Sequence, residues 1–456
     1  MRKIRFYIAL WLAKAARLAM VILGRNATYL PGKIAVKLCP DFLAHLKAPN
    51  TVIAVTGTNG KTTVSNLLST LLAYHGYKVT NNSLGSNVQA GVVSALLADA
   101  SLLGKSKKDI AVLEVDERSS LLIYPYMKPD YLICNNLMRD SLKRNAHTEF
   151  IQYIINRALP ESTKLILNAD DLICSGLGSD SQTRVFFGLD VNKPEVSQAP
   201  FVQDIVYCPK CGSPLEAEYI RYNHIGRFHC TGCDYGSPAP DFVVTELNVA
   251  NGTFSVRHKD TTQTYKLPND NIVNVYNACG VVALLSQLGL SSEAIAESFE
   301  SLEIVKSRFD RVTTGDLTIT MQSAKGQNPI ACARSFHYVA SCPGDKKCLF
   351  MLIDDKGDSI GNSESTCWLY DCDYSYLADE SIGQIIFSGP RCKDQYLRAV
   401  LAGVDPDKII QWPSFTGGAH LIDADVCKDI YILYDVYLGA EANAVKKALT
   451  AAKEGA

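Results

Sequence analysis

The fold is decided by the stretch Thr56-Gly57-Thr58-Asn59-Gly60-Lys61-Thr62-Thr63, which directly follows the apolar run Val52–Val55. A short β-branched run, a glycine-rich turn and a helix predicted over Val64–Tyr74 together form a phosphate cradle. The glycines let backbone N–H groups approach phosphate oxygens, and the helix N-terminus adds positive potential. Lys61 would reach the outer phosphates and the Thr62 hydroxyl would hold Mg²⁺. The stretch therefore predicts nucleotide binding.

This loop is shorter than the full G-x-x-x-x-G-K-[ST] pattern, because only two residues separate its glycines. A shortened loop is also compatible with an ordinary βα turn. The strand before it, the Lys-Thr pair within it and the helix after it favour the nucleotide.

Length and composition are those of a globular protein with several domains. The chain has 456 residues, of which 47% are hydrophobic and 20% charged, and its formal net charge is −2. At roughly 150 residues per domain, this length predicts about three domains. The balanced charge gives no general attraction to nucleic acid or to a membrane. The 15 cysteines do not indicate a disulfide framework, and those in apolar runs, such as Cys134 and Cys279, are expected to be buried.

Short apolar strands alternate with helical stretches after Val52 and predict an α/β fold with a parallel sheet. The predicted strands are Val52–Val55, Lys78–Thr80, Ile110–Val115, Tyr131–Cys134 and Lys164–Asn168. Ligands bind at the carboxyl ends of such strands. The polar residues expected there are the glycine loop, Glu114, Asn135-Asn136 and Asn168-Ala169-Asp170-Asp171.

The rest of the chain predicts an insertion and a second α/β region. We expect a short helical lead-in (1–50), a central ATP-binding domain (51–312) with an insertion at about 201–240, and a C-terminal α/β domain (313–456). Further predicted elements are antiparallel strands in Asp241–Tyr265, helices at Val275–Leu288 and Ser292–Leu302, and strands at Leu317–Met321, Cys348–Ile353, Gln384–Ser388 and Asp429–Leu433.

The apolar segment Ile4–Leu23 contains Lys14 and Arg17, so it lacks the ~18 uninterrupted apolar residues of a transmembrane helix. Two interpretations stay open. The segment is either an amphipathic helix packed on its own domain, or a basic amphipathic helix that touches the inner face of the membrane.

The insertion contains Cys208-Pro-Lys-Cys211 and Cys230-Thr-Gly-Cys233, the C-x₂-C…C-x₂-C spacing of a four-thiolate Zn²⁺ site. His224 and His229 could replace a thiolate, but the paired cysteines make this unnecessary. Four thiolates leave no open coordination position, so the predicted zinc is structural.

Three further groups are candidates for the chemistry around the nucleotide. Glu114 ends a predicted strand, where a carboxylate would bind Mg²⁺ or polarise a reacting group, unless it belongs to a solvated acidic turn. Asn274-Val-Tyr-Asn277 precedes a predicted helix, so its amides would contact adenine and phosphate or cap that helix. Arg308 suits phosphate charge that develops during transfer, or it forms a surface ion pair.

The glycine loop, Glu114, Asn274-x-x-Asn277 and Arg308 resemble the Mur ligase superfamily, which also includes folylpolyglutamate synthases. Within it, the four-Cys insertion resembles the MurT family. These proteins are the synthetase subunits of lipid II isoglutaminyl synthases and work with a GatD-type glutaminase. The resemblance spans nearly the whole chain. One departure is Gln322–Pro329, which stands where other Mur ligases carry an acidic-Tyr-Ala-His-Asn-Pro signature for the incoming amino acid.

The resemblance implies an ATP-dependent carbon–nitrogen ligase of peptidoglycan synthesis. It would amidate the D-glutamate α-carboxyl of the lipid II stem peptide through an acyl phosphate, with ATP, Mg²⁺ and a structural Zn²⁺. The glutaminase partner of the heterodimer would supply ammonia, in the cytoplasm at the inner face of the plasma membrane. Glu114, Lys61 and Arg308 are the implied catalytic residues of this chain. The implied nucleotide contacts are Gly57, Thr58, Asn59, Gly60, Lys61, Thr62, Thr63, Asn274, Asn277 and Arg308, with Thr62 and Glu114 on Mg²⁺.

The resemblance also places an aspartate after the strand at 348–353, where it would orient the partner's catalytic histidine. Its position relative to the segment Cys367–Asp373 assigns this role to Asp355, with Asp354 as the close competitor. Asp140 lies in a segment that resembles one beside the nucleotide, and it would help to bind substrate or metal.

Other interpretations stay open. A folylpolyglutamate-type ligase fits the loop but not the cysteine cluster or the missing amino-acid signature. A zinc-ribbon NTPase acting on nucleic acid fits the loop and the cysteines, but the chain lacks a basic-aromatic stripe. A scaffold that only activates its partner is disfavoured by the intact ATP loop.

Overall fold

The structure is a computed structural model that describes residues 2–83, 85–139, 147–191, 193, 201–268, 271–302, 310–324, 328–353, 366–435 and 437–454. The candidate residues Asp140, Arg308, Asp354 and Asp355 lie outside these ranges. Contacts divide the chain into two compact units, which are described separately. The first comprises Met1–Met138 and Thr148–Ile304, and the second Arg139–His147 and Val305–Ala456.

The first unit is built on a large sheet. Its described strands are β1 (Thr51–Thr56), β2 (Val79–Asn81), β3 (Ile110–Glu114), β4 (Tyr131–Cys134), β5 (Lys164–Asn168), β6 (Arg184–Leu189), β7 (Leu215–Tyr222), β8 (Ile225–Cys230), β9 (Phe242–Asn248), β10 (Thr253–His258) and β11 (Thr261–Lys266). Nine of them form one sheet in the order β11-β10-β9-β6-β5-β4-β1-β3-β2, while β7 and β8 form a separate antiparallel hairpin.

Seven neighbouring strands of this sheet, from β2 to β9, pair in parallel, and β9, β10 and β11 continue it as an antiparallel meander. The predicted parallel sheet and the predicted antiparallel region are therefore confirmed. Strand β6 was not predicted, because its sequence Arg184–Leu189 contains neither a long apolar run nor strict alternation. The thiols of Cys134 and Cys279 are buried, as expected.

Helices cover the sheet. In the first unit they are α1 (Arg2–Ile22), α2 (Leu30–Leu38), α3 (Phe42–His45), α4 (Lys61–Tyr74), α5 (Gln89–Asp99), α6 (Ser120–Ile123), α7 (Thr148–Ala158), α8 (Leu172–Ser175), α9 (Ile272–Gln287) and α10 (Ser292–Glu300). Helix α4 begins three residues before the predicted Val64. Gly60 precedes it in a left-handed conformation, which brings the Lys-Thr-Thr segment into the first helical turn.

The second unit has a smaller sheet. Its described elements are β12 (Asp310–Thr314), β13 (Leu317–Ser323), α11 (Pro329–Ser341), β14 (Lys347–Leu352), α12 (Cys367–Asp371), β15 (Ile382–Ser388), α13 (Cys392–Leu401), β16 (Ile409–Trp412), β17 (Asp429–Tyr434) and α14 (Gly439–Glu454). The strand order is β12-β13-β17-β14-β15-β16, with only β12 antiparallel. The four predicted strands are present. The two edge strands, β12 and β16, escaped prediction because they are short or largely exposed and carry a weak apolar pattern.

Candidate active site and metal centre

The glycine loop lies at the carboxyl edge of the parallel sheet, against the segment that follows β4. The backbone N–H of Thr58 donates to the Asn136 carbonyl oxygen at 2.8 Å, and that of Asn59 donates to Asn136 Oδ1 at 2.9 Å. A Cβ atom at Gly57 would lie only 2.9 Å from the same carbonyl oxygen. Glycine is required at this position, where φ is +122°. The end of the neighbouring strand therefore fixes the loop.

The other loop glycine is covered by an asparagine that is distant in sequence. A Cβ atom at Gly60 would lie 2.5 Å from Asn277 Oδ1. Asn277 Oδ1 also accepts a hydrogen bond from Asn135 Nδ2 at 2.9 Å, and Asn277 Nδ2 donates to Asn274 Oδ1 at 3.2 Å. The structure thus brings both candidate asparagines to the nucleotide loop.

The predicted placement of these asparagines before the helix is wrong. Asn274 and Asn277 lie inside the first two turns of α9, one turn apart, so they share one face of the helix. The N-cap is Asn271, whose side chain accepts from the backbone N–H of Val273 at 3.0 Å. A helix cap therefore explains neither Asn274 nor Asn277.

Glu114 lies at the end of β3 and faces the first turn of α4. Thr62 Oγ1 donates to Glu114 Oε2 at 3.2 Å. Asn82 fixes the Glu114 backbone through two hydrogen bonds, of 2.8 and 3.0 Å. Burial raises the pKa of the Glu114 carboxyl, and the Thr62 hydroxyl and the Lys61 charge oppose this shift.

The alternative of a solvated acidic turn is wrong, because Glu114, Asp116 and Glu117 are all buried. The second carboxylate oxygen of Glu114, Oε1, is buried and has no hydrogen-bond partner among the described residues. A carboxylate oxygen and a threonine hydroxyl are the kinds of ligand that Mg²⁺ prefers. The pair formed by Thr62 and Glu114 therefore fits a magnesium ion.

Glu117 is a site residue that the sequence did not single out. Its Oε1 accepts from Lys61 Nζ at 3.1 Å, and Lys61 Nζ also donates to the Gly57 carbonyl oxygen. Both side chains are largely buried, with 14% of Lys61 and 3% of Glu117 exposed. The ion pair orients the lysine at the loop. Glu117 lies three residues after Glu114, in the same turn at the end of β3, and this closeness is the signal by which the sequence could have identified it.

The four cysteines of the insertion come together at the base of the β7–β8 hairpin. Their sulfur atoms lie within 4.8 Å of one another. The Sγ atoms of Cys208 and Cys233 are 3.6 Å apart, and those of Cys211 and Cys230 are 3.4 Å apart. Sulfurs bound tetrahedrally at about 2.3 Å from a zinc ion would be about 3.8 Å apart. The cluster therefore fits a zinc ion after a small expansion.

The hairpin is docked on the segment that follows β5. The backbone N–H of Gly226 donates to the Asp170 carbonyl oxygen at 2.7 Å, and Arg227 Nη1 lies 3.4 Å from Asp170 Oδ1. Asp170 also accepts from the Tyr276 hydroxyl at 2.7 Å. The insertion is therefore attached to the carboxyl edge of the sheet at Asp170, and Asp170 in turn is hydrogen-bonded to helix α9.

His224, at the turn of the hairpin, is not close to the cysteines. It is buried between two carboxylates, with Nε2 3.5 Å from Asp171 and Nδ1 3.7 Å from Asp204. Burial lowers the pKa of His224, but the two carboxylates outweigh it and raise the pKa to about 9. Asp171 also accepts from the Leu137 backbone N–H at 2.7 Å, so this ion pair lies one contact from the segment that holds the glycine loop.

In the second unit, polar residues gather where β13, β14 and β17 end. Gln322 donates to Ser335 Oγ at 3.2 Å, and Asn328 caps α11 through the Ala331 backbone N–H. The backbone N–H of Asp435 donates to the Leu352 carbonyl oxygen at 2.9 Å, which places this buried carboxylate beside the end of β14.

The Mur ligase middle domain is the family model that matches residues 55–228. The chain also resembles solved structures in fold. Against a pseudomurein peptide ligase type C from Methanothermus fervidus the TM-score is 0.65, with 20% identity over 90% of this chain and 81% of that one. Against MurF ligase from Thermotoga maritima in complex with ADP the TM-score is 0.57, with 17% identity, and the match covers 92% of this chain and 85% of that one. Fold and site define a Mur-type ligase, an ATP-dependent enzyme.

The MurT ligase C-terminal model matches residues 326–436. The chain is 30% identical over 421 residues to the MurT subunit of the glutamine-hydrolyzing lipid II isoglutaminyl synthase of Staphylococcus aureus (strain COL), covering 92% of this chain and 93% of that protein. It is 28% identical to the MurT subunit from Streptococcus pneumoniae (strain ATCC BAA-255 / R6), covering 93% of each. The chain belongs to the MurT family.

Proposed function

We propose that the chain is the synthetase subunit of a lipid II isoglutaminyl synthase in peptidoglycan synthesis. It would convert the α-carboxyl of D-glutamate in the lipid II stem peptide into the amide of D-isoglutamine. The main observation in support of ligase chemistry is the hydrogen-bonded pair of Thr62 and Glu114 beside the glycine loop. The similarity to MurT subunits over 92% of the chain supports the substrate.

The proposed reaction has two steps, because ammonia does not displace oxygen from a free carboxylate. A carboxylate oxygen of the substrate first attacks the γ-phosphorus of ATP, and ADP leaves. Ammonia then attacks the carbonyl carbon of the acyl phosphate, and inorganic phosphate leaves with the former carboxylate oxygen. Both steps concentrate negative charge on phosphate oxygens, so fixed cations and aligned N–H groups lower the barrier.

Each candidate site residue has a role in this scheme. Lys61, oriented by Glu117, would neutralise the charge of the outer phosphates. The backbone N–H groups of residues 60–63 at the start of α4 would bind these phosphates, since those of Thr58 and Asn59 already donate to Asn136. Asn277 and Asn274 would contact the nucleotide beside Gly60. Thr62 and Glu114 would hold Mg²⁺, which neutralises phosphate charge when bound. Arg308 is proposed to stabilise the transferring phosphoryl group.

The proposed partner is a GatD-like glutaminase that forms a heterodimer with this chain and releases ammonia from glutamine. Asp355 would orient the partner's catalytic histidine, with Asp354 as the alternative. The variants Asp355→Asn and Asp354→Asn test the assignment in the purified complex. Loss of glutamine hydrolysis in one variant, with the complex intact on gel filtration, identifies the residue. Full hydrolysis in both variants contradicts the role.

The cysteine cluster is proposed to bind one Zn²⁺ ion in a structural ribbon. Four thiolates would fill the tetrahedral positions, so the ion would stabilise the β7–β8 hairpin without touching substrate. The hairpin contacts the segment after β5, which suggests that the ribbon supports the catalytic edge of the sheet.

The decisive experiment measures ADP release by the complex with lipid II, Mg²⁺ and ATP, supplied in turn with glutamine or ammonium chloride. We expect turnover with both nitrogen sources and a product in which NH₂ replaces OH. ADP formation with glutamate and folates, without any partner, would instead identify a folylpolyglutamate-type ligase.

A lipid-linked substrate would place the reaction in the cytoplasm at the inner face of the plasma membrane.

A further inference from the structure

Helix α1 has two apolar faces, of which one is buried and the other is exposed among the residues that the structure describes. Phe6, Ala9, Leu10 and Ala13 are buried in the core of the first unit, so the expectation that α1 packs on its own domain is confirmed. A second set of apolar side chains remains exposed. We call it the outer face of α1, and it consists of Ile4, Ile8, Trp11, Leu12, Leu18 and Ile22.

The outer face is a continuous stripe. Positions 4, 8, 11, 18 and 22 follow one another at steps of four, three, seven and four residues, which places them on one side of the helix. Ile4 is 66% exposed and Ile22 is 75% exposed. An isolated exposed leucine needs no explanation, but a stripe that runs the length of a 21-residue helix marks an interaction surface.

A neighbouring loop extends this surface. Leu102 and Leu103 are exposed at its tip, and Trp11 Nε1 donates to the Leu102 carbonyl oxygen at 3.0 Å. Lys14 Nζ donates to the Leu97 carbonyl oxygen at 2.8 Å, which fixes the helix to the end of α5. The helix and the loop therefore present their apolar side chains as one preformed surface.

The charge around this surface is mainly positive. Residues 1–40 contain eight Lys and Arg residues and no Asp or Glu, although the whole chain carries a net charge of −2. The loop adds Lys105, Lys107 and Lys108. A depression of about 470 Å³ beside the outer face is lined by Ile4, Ile8 and Leu38 together with Arg5 and Lys37. Apolar walls with two cations suit an acyl chain and its phosphate.

We propose that the outer face of α1, with the tip of the 101–104 loop, docks the protein on an anionic lipid bilayer. The helix would lie in the interface with its apolar stripe among the acyl chains and its basic residues at the phosphates. None of the described helices has the length and hydropathy to cross a bilayer, so the contact is peripheral. Protein interfaces are depleted in lysine, so the mainly basic residues around the outer face favour lipid over a protein partner.

This inference rests on the proposed function in one respect: a lipid-linked substrate gives the membrane contact its purpose. Docking would restrict the search for lipid II to the plane of the membrane. The binding itself requires neither lipid II nor ATP, so it is testable separately.

The experiment measures sedimentation of the complex with vesicles that lack lipid II, made either of phosphatidylcholine alone or of phosphatidylcholine with phosphatidylglycerol. We expect binding to the anionic vesicles, weakening with salt. The triple variant Ile8→Ser, Leu18→Ser, Ile22→Ser should bind about tenfold more weakly because apolar burial is lost. The double variant Leu397→Ser, Leu401→Ser is the control, since these exposed leucines lie on α13 of the second unit.

A second measurement separates this inference from the proposed function. With lipid II in detergent, the triple variant should retain wild-type activity, and with lipid II in vesicles it should lose about tenfold, as its vesicle binding does. The inference is overturned if the wild-type complex does not bind anionic vesicles, or if the triple variant no longer co-elutes with the glutaminase on gel filtration. Failure of lipid II amidation with intact vesicle binding would overturn the proposed function alone.

Discussion

The side-chain amide of Asn135 donates to Asn277 Oδ1 at 2.9 Å, although 142 residues separate the two in the sequence. The same oxygen lies against Gly60, and the Asn135 carbonyl oxygen accepts from Asn168 Nδ2 at 2.9 Å. Asn277 of α9 and Asn135, which follows β4, therefore contact the nucleotide loop, and Asn168 at the end of β5 holds Asn135 in place. Because Asn277 holds both Asn135 and the loop, its replacement gives the first prediction.

Replacing Asn277 by alanine should weaken nucleotide binding and also destabilise the first unit. The change leaves Asn135 Nδ2 without its acceptor in a buried position, which lowers the free energy of unfolding by about 1–3 kcal/mol. It also removes the proposed contact of Asn277 with the nucleotide, so the KM for ATP should increase. The KM for ATP and the free energy of unfolding measure the two effects. Ser286→Ala, on the same helix but away from the loop, is the control. An unchanged KM would contradict the assignment of Asn277.

Glu114→Gln should raise the Mg²⁺ concentration required for activity and reduce ADP formation by about 10²–10³. The amide keeps the shape of the carboxylate and removes its charge. A titration of ADP release against Mg²⁺ measures the effect. The control is Glu297→Gln, an exposed glutamate that accepts from the Tyr74 hydroxyl at 2.9 Å on the surface of the first unit. Equal Mg²⁺ dependence in both variants would exclude Glu114 as a ligand.

Glu117→Gln should act only through Lys61. Loss of the ion pair lets the lysine adopt other rotamers, so the KM for ATP should increase. A double-mutant cycle with Lys61→Met tests the coupling, because Glu117→Gln should have no further effect once the lysine is absent. Additive losses would mean that Glu117 contacts the substrate or the metal directly. Lys78→Met, which changes an exposed lysine after α4, controls for the loss of charge.

The substitution Cys208→Ser or Cys233→Ser should remove one equivalent of bound zinc and unfold the β7–β8 hairpin. Loss of one thiolate from a four-coordinate site removes most of its affinity, and the hairpin has little core of its own. Metal analysis and limited proteolysis measure the two effects. Cys342→Ser is the matched control, since this thiol lies in the second unit outside the cluster. Wild-type protein that purifies without zinc would contradict the metal assignment.

The charge on His224 should make the free energy of unfolding depend on pH. Its pKa is raised to about 9 in the folded protein, by Asp171 and Asp204 against the opposing effect of burial. The pKa in the unfolded chain is about 6.5. The protonated histidine therefore stabilises the fold fully below about pH 6.5, and this contribution is lost as the pH rises through about 9. Its size is about 3 kcal/mol.

The free energy of unfolding of the wild type and of His224→Gln, measured between pH 6 and 10, tests this prediction. The variant should be less stable at pH 6 and should lose less stability as the pH rises. His420→Gln, at an exposed histidine of the second unit, should follow the wild type. Parallel curves for all three proteins would show that His224 is not charged in the fold.

The central part of the fold and the loop were predictable because their signals are local. A strand, two glycines, Lys-Thr and a helix follow one another within about 25 residues, and the spacing of two Cys-x-x-Cys pairs is enough to predict a metal site. The boundary of α9 was not predictable. Asn271, Asn274 and Asn277 are all good helix caps, and the sequence offers no means to choose among them.

The sequence by itself determined the phosphate loop, the alternation of strands and helices that predicts a parallel sheet, and the paired cysteines, because each of these signals lies in residues close together along the chain. Only the tertiary structure decided which distant groups meet: Glu117 with Lys61, Asn277 with Gly60, and His224 with Asp171. It also decided which apolar face of α1 enters the core and which stays exposed. Those outcomes depend on close packing and charge pairing between segments far apart in the chain, which hydrophobic periodicity does not encode.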